Sequence, residues 1–160
     1  MDRFPEIEEH IIVTNHKFAF IFDEWAKSDC SDLTKPVRII DDGTSTNETR
    51  LGAVKDLLWA IDTCEIDDDI MVLAADNILD FSFRGFVDFF NEKNTSCIMC
   101  HHQPSVEKLQ RTGVVVLDEN QKVLNMEEKP KEPMGCTSFL YIPKGRYASY
   151  QGLHESWMRL

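Results

Sequence analysis

Apolar and polar positions in this chain fall into short blocks that switch between two periods. His10-Ile11-Ile12-Val13-Thr14 is an apolar run of strand length, broken by Asn15-His16. Phe18, Ile21, Phe22 and Trp25 then recur at i, i+3, i+4 and i+7, which predicts a helix with one apolar face. Val37-Arg38-Ile39-Ile40 predicts a second strand, and Asp41 to Asn47 is a polar loop rich in turn formers. Ser45 and Glu48 stand at capping-box spacing, with Asn47 as a rival cap. The helix they would open runs to about Asp62 and turns Leu51, Val54, Leu57, Leu58 and Ile61 inward. Ile70 to Ala74 predicts a third strand. Ser82 can cap a helix whose buried side carries Phe83, Phe86, Val87 and Phe90. Ser96 to Cys100 reads as a fourth strand, and Pro104 to Arg111 as a short helix or turn. Val114 to Leu117, the turn Asp118 to Gln121, and Lys122 to Met126 predict a β-hairpin. Phe139 to Ile142 is a last, weaker strand, and no clear period follows Gly145.

Alternation of strands and helices predicts an α/β fold with right-handed crossovers and a largely parallel sheet. Ligands of such sheets sit at the carboxyl ends of the strands, and Asp76 falls at one of them. A length of 160 residues fits one domain over 1–160. The net charge of −11 and the lack of a basic patch argue against nucleic acid as a partner. A single nucleotide is compatible with that charge, because a divalent cation can stand between acidic side chains and phosphates. No apolar run approaches the ~18 residues that span a bilayer, so no membrane role is expected. The N-terminus is polar, and the five cysteines are odd in number and scattered, which together point to the reducing cytoplasm.

Two charged clusters carry the candidate chemistry. The run Ile70 to Ala75 ends in Asp76-Asn77, a carboxylate at the mouth of a buried strand, where a metal ion and phosphates can be held. Glu127-Glu128-Lys129-Pro130 puts a carboxylate and an ammonium together at another strand end, where a hydroxyl-rich ligand can be gripped. Each has a plainer reading, the first as a turn cap and the second as a solvated charge run. Cys97-Ile98-Met99-Cys100-His101 matches a haem-attachment pattern and, with His102, loosely a zinc site. In a strand, however, residues three apart point to opposite faces, and no second Cys/His pair has zinc spacing. The cysteines therefore read as small core residues.

Four segments, in order, resemble the sugar-phosphate nucleotidylyltransferases, the class that includes glucose-1-phosphate thymidylyltransferases. Asp41-Asp42-Gly43-Thr44 through Asn47-Glu48-Thr49-Arg50-Leu51-Gly52-Ala53 resembles the loop and helix start that pass the nucleotide base. Leu73-Ala74-Ala75-Asp76-Asn77 resembles the strand ending in Gly-Asp-Asn, whose aspartate binds Mg²⁺. Thr112-Gly113-Val114-Val115 resembles the Tyr-Gly-Val-Val strand near the sugar, and Glu127-Glu128-Lys129-Pro130 the Glu-Glu-Lys-Pro signature that contacts the sugar phosphate. The resemblance implies a Rossmann-like three-layer nucleotide-diphospho-sugar transferase fold, truncated, with a mostly parallel sheet and a β-hairpin. It implies Asp76 as the catalytic Mg²⁺ ligand, Glu128, Lys129, Gly113 and Thr137 at the sugar phosphate, and Asn47 and Gly52 at the nucleotide. It also implies a nucleoside triphosphate and a sugar-1-phosphate as ligands.

The departures from the family pattern bear on activity. The Gly-x-Gly-Thr-Arg-Leu loop that wraps the triphosphate is absent, and the chain starts where the family's second strand would begin. Ala75 replaces a glycine before the metal aspartate, and Ser138 replaces one after Thr137. Transfer activity is therefore expected to be lost or impaired. The alternatives are a non-catalytic sugar-phosphate or nucleotide-binding or assembly module and, behind it, a small Cys/His metalloprotein. In the family the missing strand lies between those matching His10–Thr14 and Ile70–Ala74. Its loss would leave two apolar edges unpaired, so the strands should close up, accept another segment, or pair with a second chain as a homo-oligomer.

Overall fold

The computed structural model of the protein describes residues 4–74, 81–133 and 136–142, the last of these through their backbone. The described residues fall into two compact units, one ending at Asp68 and the other beginning at Asp69.

The first unit is a strand–helix–strand–helix run. Strand β1 (His10–Thr14) leads into helix α1 (His16–Asp29), strand β2 (Val37–Asp41) and helix α2 (Ala53–Thr63). The strands pair in parallel from His10 opposite Val37 to Thr14 opposite Asp41, so both carboxyl ends come out side by side. Asn15 caps α1, its side-chain oxygen accepting from the Phe18 N–H at 3.3 Å. Ile40 on β2 and Ala60 on α2 are the buried apolar residues of this unit.

The predicted apolar face of α1 is present but only partly covered: Ile21 is 60% exposed, Phe18, Phe22 and Trp25 are 37–41% exposed, and no α1 residue is buried. The capping expected for α2 is corrected. Helix α2 does not use the Ser45–Glu48 capping box, and Asn47 does not cap it. Residues 46–49 close a turn of their own, with the Thr49 and Arg50 N–H groups donating to the Thr46 carbonyl. The chain then needs a further reversal at Gly52, whose φ of 87° is a conformation that favours glycine, so α2 opens without a side-chain cap. Its first turn consequently leaves Val54 exposed rather than inward.

The second unit contains strand β3 (Ile70–Met71), helix α3 (Arg84–Lys93), strand β4 (Ile98–His101), the single-turn helix α4 (Val106–Leu109), and strands β5 (Gly113–Leu117), β6 (Val123–Glu128) and β7 (Cys136–Ile142). Its sheet order is β3-β7-β5-β6, with β4 also paired to β7. The β5–β6 hairpin forms as expected, with a register shift at Val116/Leu117. The expected third strand shortens to Ile70–Met71 and runs antiparallel to β7. The fold is thus α/β with a parallel pair and an antiparallel hairpin. The parallel part is smaller than the alternation implied, because β7 returns between β3 and β5 and pairs antiparallel with β3, β4 and β5.

Central position in a sheet buries a strand and edge position exposes it. β5, flanked by β6 and β7, carries Val114 and the fully buried Val115. β6, paired only with β5 among the described strands, is exposed along its whole length. Phe83, Val87 and Phe90 bury one side of α3, as their spacing predicts. Ser82 accepts from the Arg84 N–H at 3.1 Å at the start of that helix. Cys97 packs with Phe90 against Met71, Phe86 and Phe89, and burial pushes its thiol pKa up.

Candidate functional site

The two carboxyl ends of β1 and β2 meet the start of α1 and the loop 42–52. His16 donates its backbone N–H to the Thr44 carbonyl at 2.8 Å, and Asp42 donates its own to the Thr14 carbonyl at 3.0 Å. Side chains lock the same corner. The Asp41 carboxylate accepts from His16 Nδ1 at 2.6 Å and from the Gly43 N–H at 2.8 Å. These bonds, the His16 bond first, hold the Asp41 carboxyl below the ordinary aspartate value. Since a carboxylate can only accept, the proton of that pair sits on Nδ1 of the imidazole. The Asp42 carboxylate accepts from the backbone N–H of buried Thr44 at 2.7 Å and from its hydroxyl at 2.8 and 3.0 Å.

This corner encloses an open groove of about 530 Å³, lined among others by Asn15, Lys17, Phe18, Asp42, Asn47, Arg50 and Asp56. That volume lies in the range of small-molecule sites. Lys17 holds its ammonium 5.1 Å from the centre of the Phe18 ring. Oδ1 of Asp56 is buried without a hydrogen-bond partner among the described residues. Burial, and after it the charge of Asp42, pushes the Asp56 carboxyl above its ordinary value. Asn47, expected at the nucleotide, does line this groove. Gly52 stands at the start of α2, four residues before Asp56, where its positive φ turns the chain. Lys17, Arg50 and Asp56 were not singled out from the sequence. Lys17 directly follows the polar break after the β1 run and Arg50 lies in the segment that resembles the nucleotide-base loop, while no sequence signal marks Asp56.

In the second unit the sugar-phosphate candidates lie on the hairpin and its neighbour. Gly113 is directly opposite Glu128 in the β5–β6 register. A Cβ built on Gly113 would stand 3.2 Å from Glu128 Oε2, so a glycine here leaves room beside the carboxylate. The chain leaves β6 through Lys129, a non-glycine residue at φ 49°, whose N–H donates to the Thr112 carbonyl at 3.0 Å. That turn puts the Lys129 ammonium 3.4 Å from Glu128 Oε1, with both side chains exposed. The structure therefore brings Gly113, Glu128 and Lys129 together. Thr137 lies on β7, opposite His101 on one side and Val114 on the other. Asp76, the expected metal ligand, is outside the described residues.

Among the described residues no group of three or more His, Cys, Asp or Glu side chains is arranged to hold a metal ion. Mg²⁺ needs fewer protein ligands than that, since it keeps waters and takes phosphate oxygens beside one or two carboxylates. Cys97 donates its thiol to the Thr95 carbonyl at 3.3 Å and sits in the core cluster, while Cys100 and His101 lie on β4.

One similar protein is the glucose-1-phosphate adenylyltransferase of Mycoplasma mobile, 33% identical over 63 residues. The matched stretch is 39% of this chain and 16% of that protein's length. The family described as nucleotidyl transferase matches residues 3–155. A match of that reach takes in the groove at the β1 and β2 ends as well as the Gly113–Glu128–Lys129 cluster, and the chain accordingly belongs to the nucleotidyl transferase family.

Proposed function

We propose that the chain binds a nucleoside triphosphate and a sugar-1-phosphate, the ligands of a reaction in which a sugar-1-phosphate oxygen attacks the α-phosphorus and pyrophosphate leaves. The whole of 1–160 is read as one nucleotidyltransferase-like domain. Two anions must meet in that reaction, so neutralising charge and in-line positioning matter more than proton transfer. Glu128 accepts hydroxyl hydrogens of the sugar, Lys129 pairs with its phosphate, and Gly113 and Thr137 line the same ligand. Asn47 reads the base edge, and Gly52 lets the base approach the start of α2. Asp76 holds Mg²⁺, which when bound supplies positive charge to the phosphates.

The observation that carries this reading is the hairpin end, where a glycine, a carboxylate and an ammonium share one small exposed area. The named activity of the Mycoplasma mobile relative supports the substrate class. The Gly-x-Gly-Thr-Arg-Leu loop occurs nowhere in the 160 residues, and its echo Thr49-Arg50-Leu51 lies in the approach to α2. Ala75 and Ser138 stand where the family pattern has glycines, and on that ground turnover is read as lost or impaired. No helix among the described residues is long and apolar enough to cross a membrane. The scattered cysteines favour the cytoplasm, and a homo-oligomer is the assembly we expect.

Titration calorimetry with a panel of sugar-1-phosphates and the common nucleoside triphosphates, with Mg²⁺, tests the reading. A sugar-1-phosphate should bind, and both Glu128→Gln and Lys129→Ala should weaken it about tenfold or more, in keeping with ~1.5–3 kcal/mol for charge-assisted hydrogen bonds. Pyrophosphate release should stay near background. Silence toward every sugar phosphate and nucleotide would overturn the binding reading, and rapid pyrophosphate release would overturn the claim of impaired turnover.

A further inference from the structure

The acids and bases in and beside the β1–β2 groove are not equally engaged. Asp41 accepts from His16 and Gly43, and Asp42 accepts from both polar groups of Thr44. Both carboxylates are thereby occupied in building the corner. In Asp56 the Oδ1 atom is buried and unpartnered among the described residues, and burial raises the pKa of its carboxyl. Across the same groove Lys17 and Arg50 make no ion pair among the described residues, although both are exposed and the chain carries 28 acidic side chains. Elsewhere Lys27, Arg38, Arg84, Lys93 and Arg111 each hold a carboxylate within 4 Å. The lining is otherwise amide, hydroxyl and one aromatic ring, all compatible with a polar ligand.

We propose that Lys17 and Arg50 form an anion seat in this groove, one that takes the polyphosphate tail of a nucleotide while Asn47 faces the remainder of the ligand. This rests on the reading of the chain as a nucleotide-binding protein and adds to it a phosphate-binding pair outside any glycine-rich loop. The pair lies on separate segments, Lys17 in the first turn of α1 and Arg50 in the loop before α2, so a ligand bound to both ties the loop to the helix. Guanidinium and ammonium groups suit this task differently, Arg50 by bidentate contact with phosphate oxygens and Lys17 as a point charge.

The test uses inorganic tripolyphosphate as the probe, beside the nucleoside triphosphates and their nucleosides, by calorimetry at low and moderate salt. Tripolyphosphate should bind the wild-type chain with an affinity that falls as salt rises. Arg50→Ala should weaken it about tenfold, and Lys17→Ala with Arg50→Ala should abolish it. Lys55→Ala, an exposed cation of α2, is the control for general charge and should change affinity less than twofold. Asn47→Ala should weaken nucleotides and leave tripolyphosphate unchanged. Wild-type indifference to tripolyphosphate, equal loss in the Lys55 control, or full retention in the double variant would each overturn the proposal. Failure of the broader reading is distinguishable, since it shows as absent sugar-1-phosphate and nucleotide binding whatever tripolyphosphate does. All the variants replace exposed side chains, so circular dichroism should confirm an unchanged fold.

Discussion

Asp56 and Asp41 lie at the same corner and respond to pH in opposite senses. Burial raises the Asp56 pKa, so the folded state holds that proton more tightly than the unfolded chain. Its contribution is full below the unfolded aspartate value of about 3.9 and is lost as pH rises through the folded value. The Asp41 pKa is lowered, chiefly by His16, so its contribution is full above the unfolded value and is lost as pH falls through the folded one. Asp56→Asn should therefore raise the urea midpoint near neutral pH and make progressively less difference as pH falls and the native carboxyl takes up its proton. Asp41→Asn should lower the midpoint near neutral pH and flatten its decline in acid. Urea titrations of both variants across that range check the two signs separately.

At the scale of elements, strand position decides how much each substitution costs. Val115, fully buried on the central strand β5, should cost about 2 kcal/mol when changed to alanine, through lost burial and the cavity left behind. Phe20→Lys and Ile21→Lys on the exposed face of α1 should change stability by less than about 0.5 kcal/mol. They should also reduce light scattering in concentrated solution, because exposed apolar patches promote association. Denaturant titration and scattering of the three variants separate a packed element from a partly covered one. These cases also show where the sequence was readable. β1 and β2 were legible as short apolar runs, and the hairpin as two runs flanking a polar turn, because local pattern alone specifies them. Helix α3 was legible because Phe83, Val87 and Phe90 do point into a core. The incomplete cover of α1 was not, since periodicity predicts an apolar face but says nothing of what lies against it. Nor was the antiparallel pairing of β3, because β7 reaches it from some seventy residues away and no local period encodes that partner. In the candidate site, Asn47 and the Gly113–Glu128–Lys129 cluster were legible through motifs. Lys17, Arg50 and Asp56 were not, because they line one groove only where the parallel β1–β2 pair brings the segments after both strands side by side.

For the molecule as a whole, an excess of negative charge makes the binding of any anionic ligand depend on a few local cations. Each unit offers such cations at a loop that leaves a strand or precedes a helix: Arg50 before α2, and Lys129 after β6. In the first unit the indole N–H of Trp59 donates to the Asp41 carbonyl at 3.1 Å, at the last residue of β2. The ring of Trp59 is thereby wired to the backbone that shapes the groove, and half-open to solvent. Its emission becomes a native optical gauge of that corner. Titrating tripolyphosphate should shift the fluorescence of the wild-type chain and of Trp25→Phe alike, and leave Trp59→Phe dark to the ligand, so occupancy can be followed without attaching any dye.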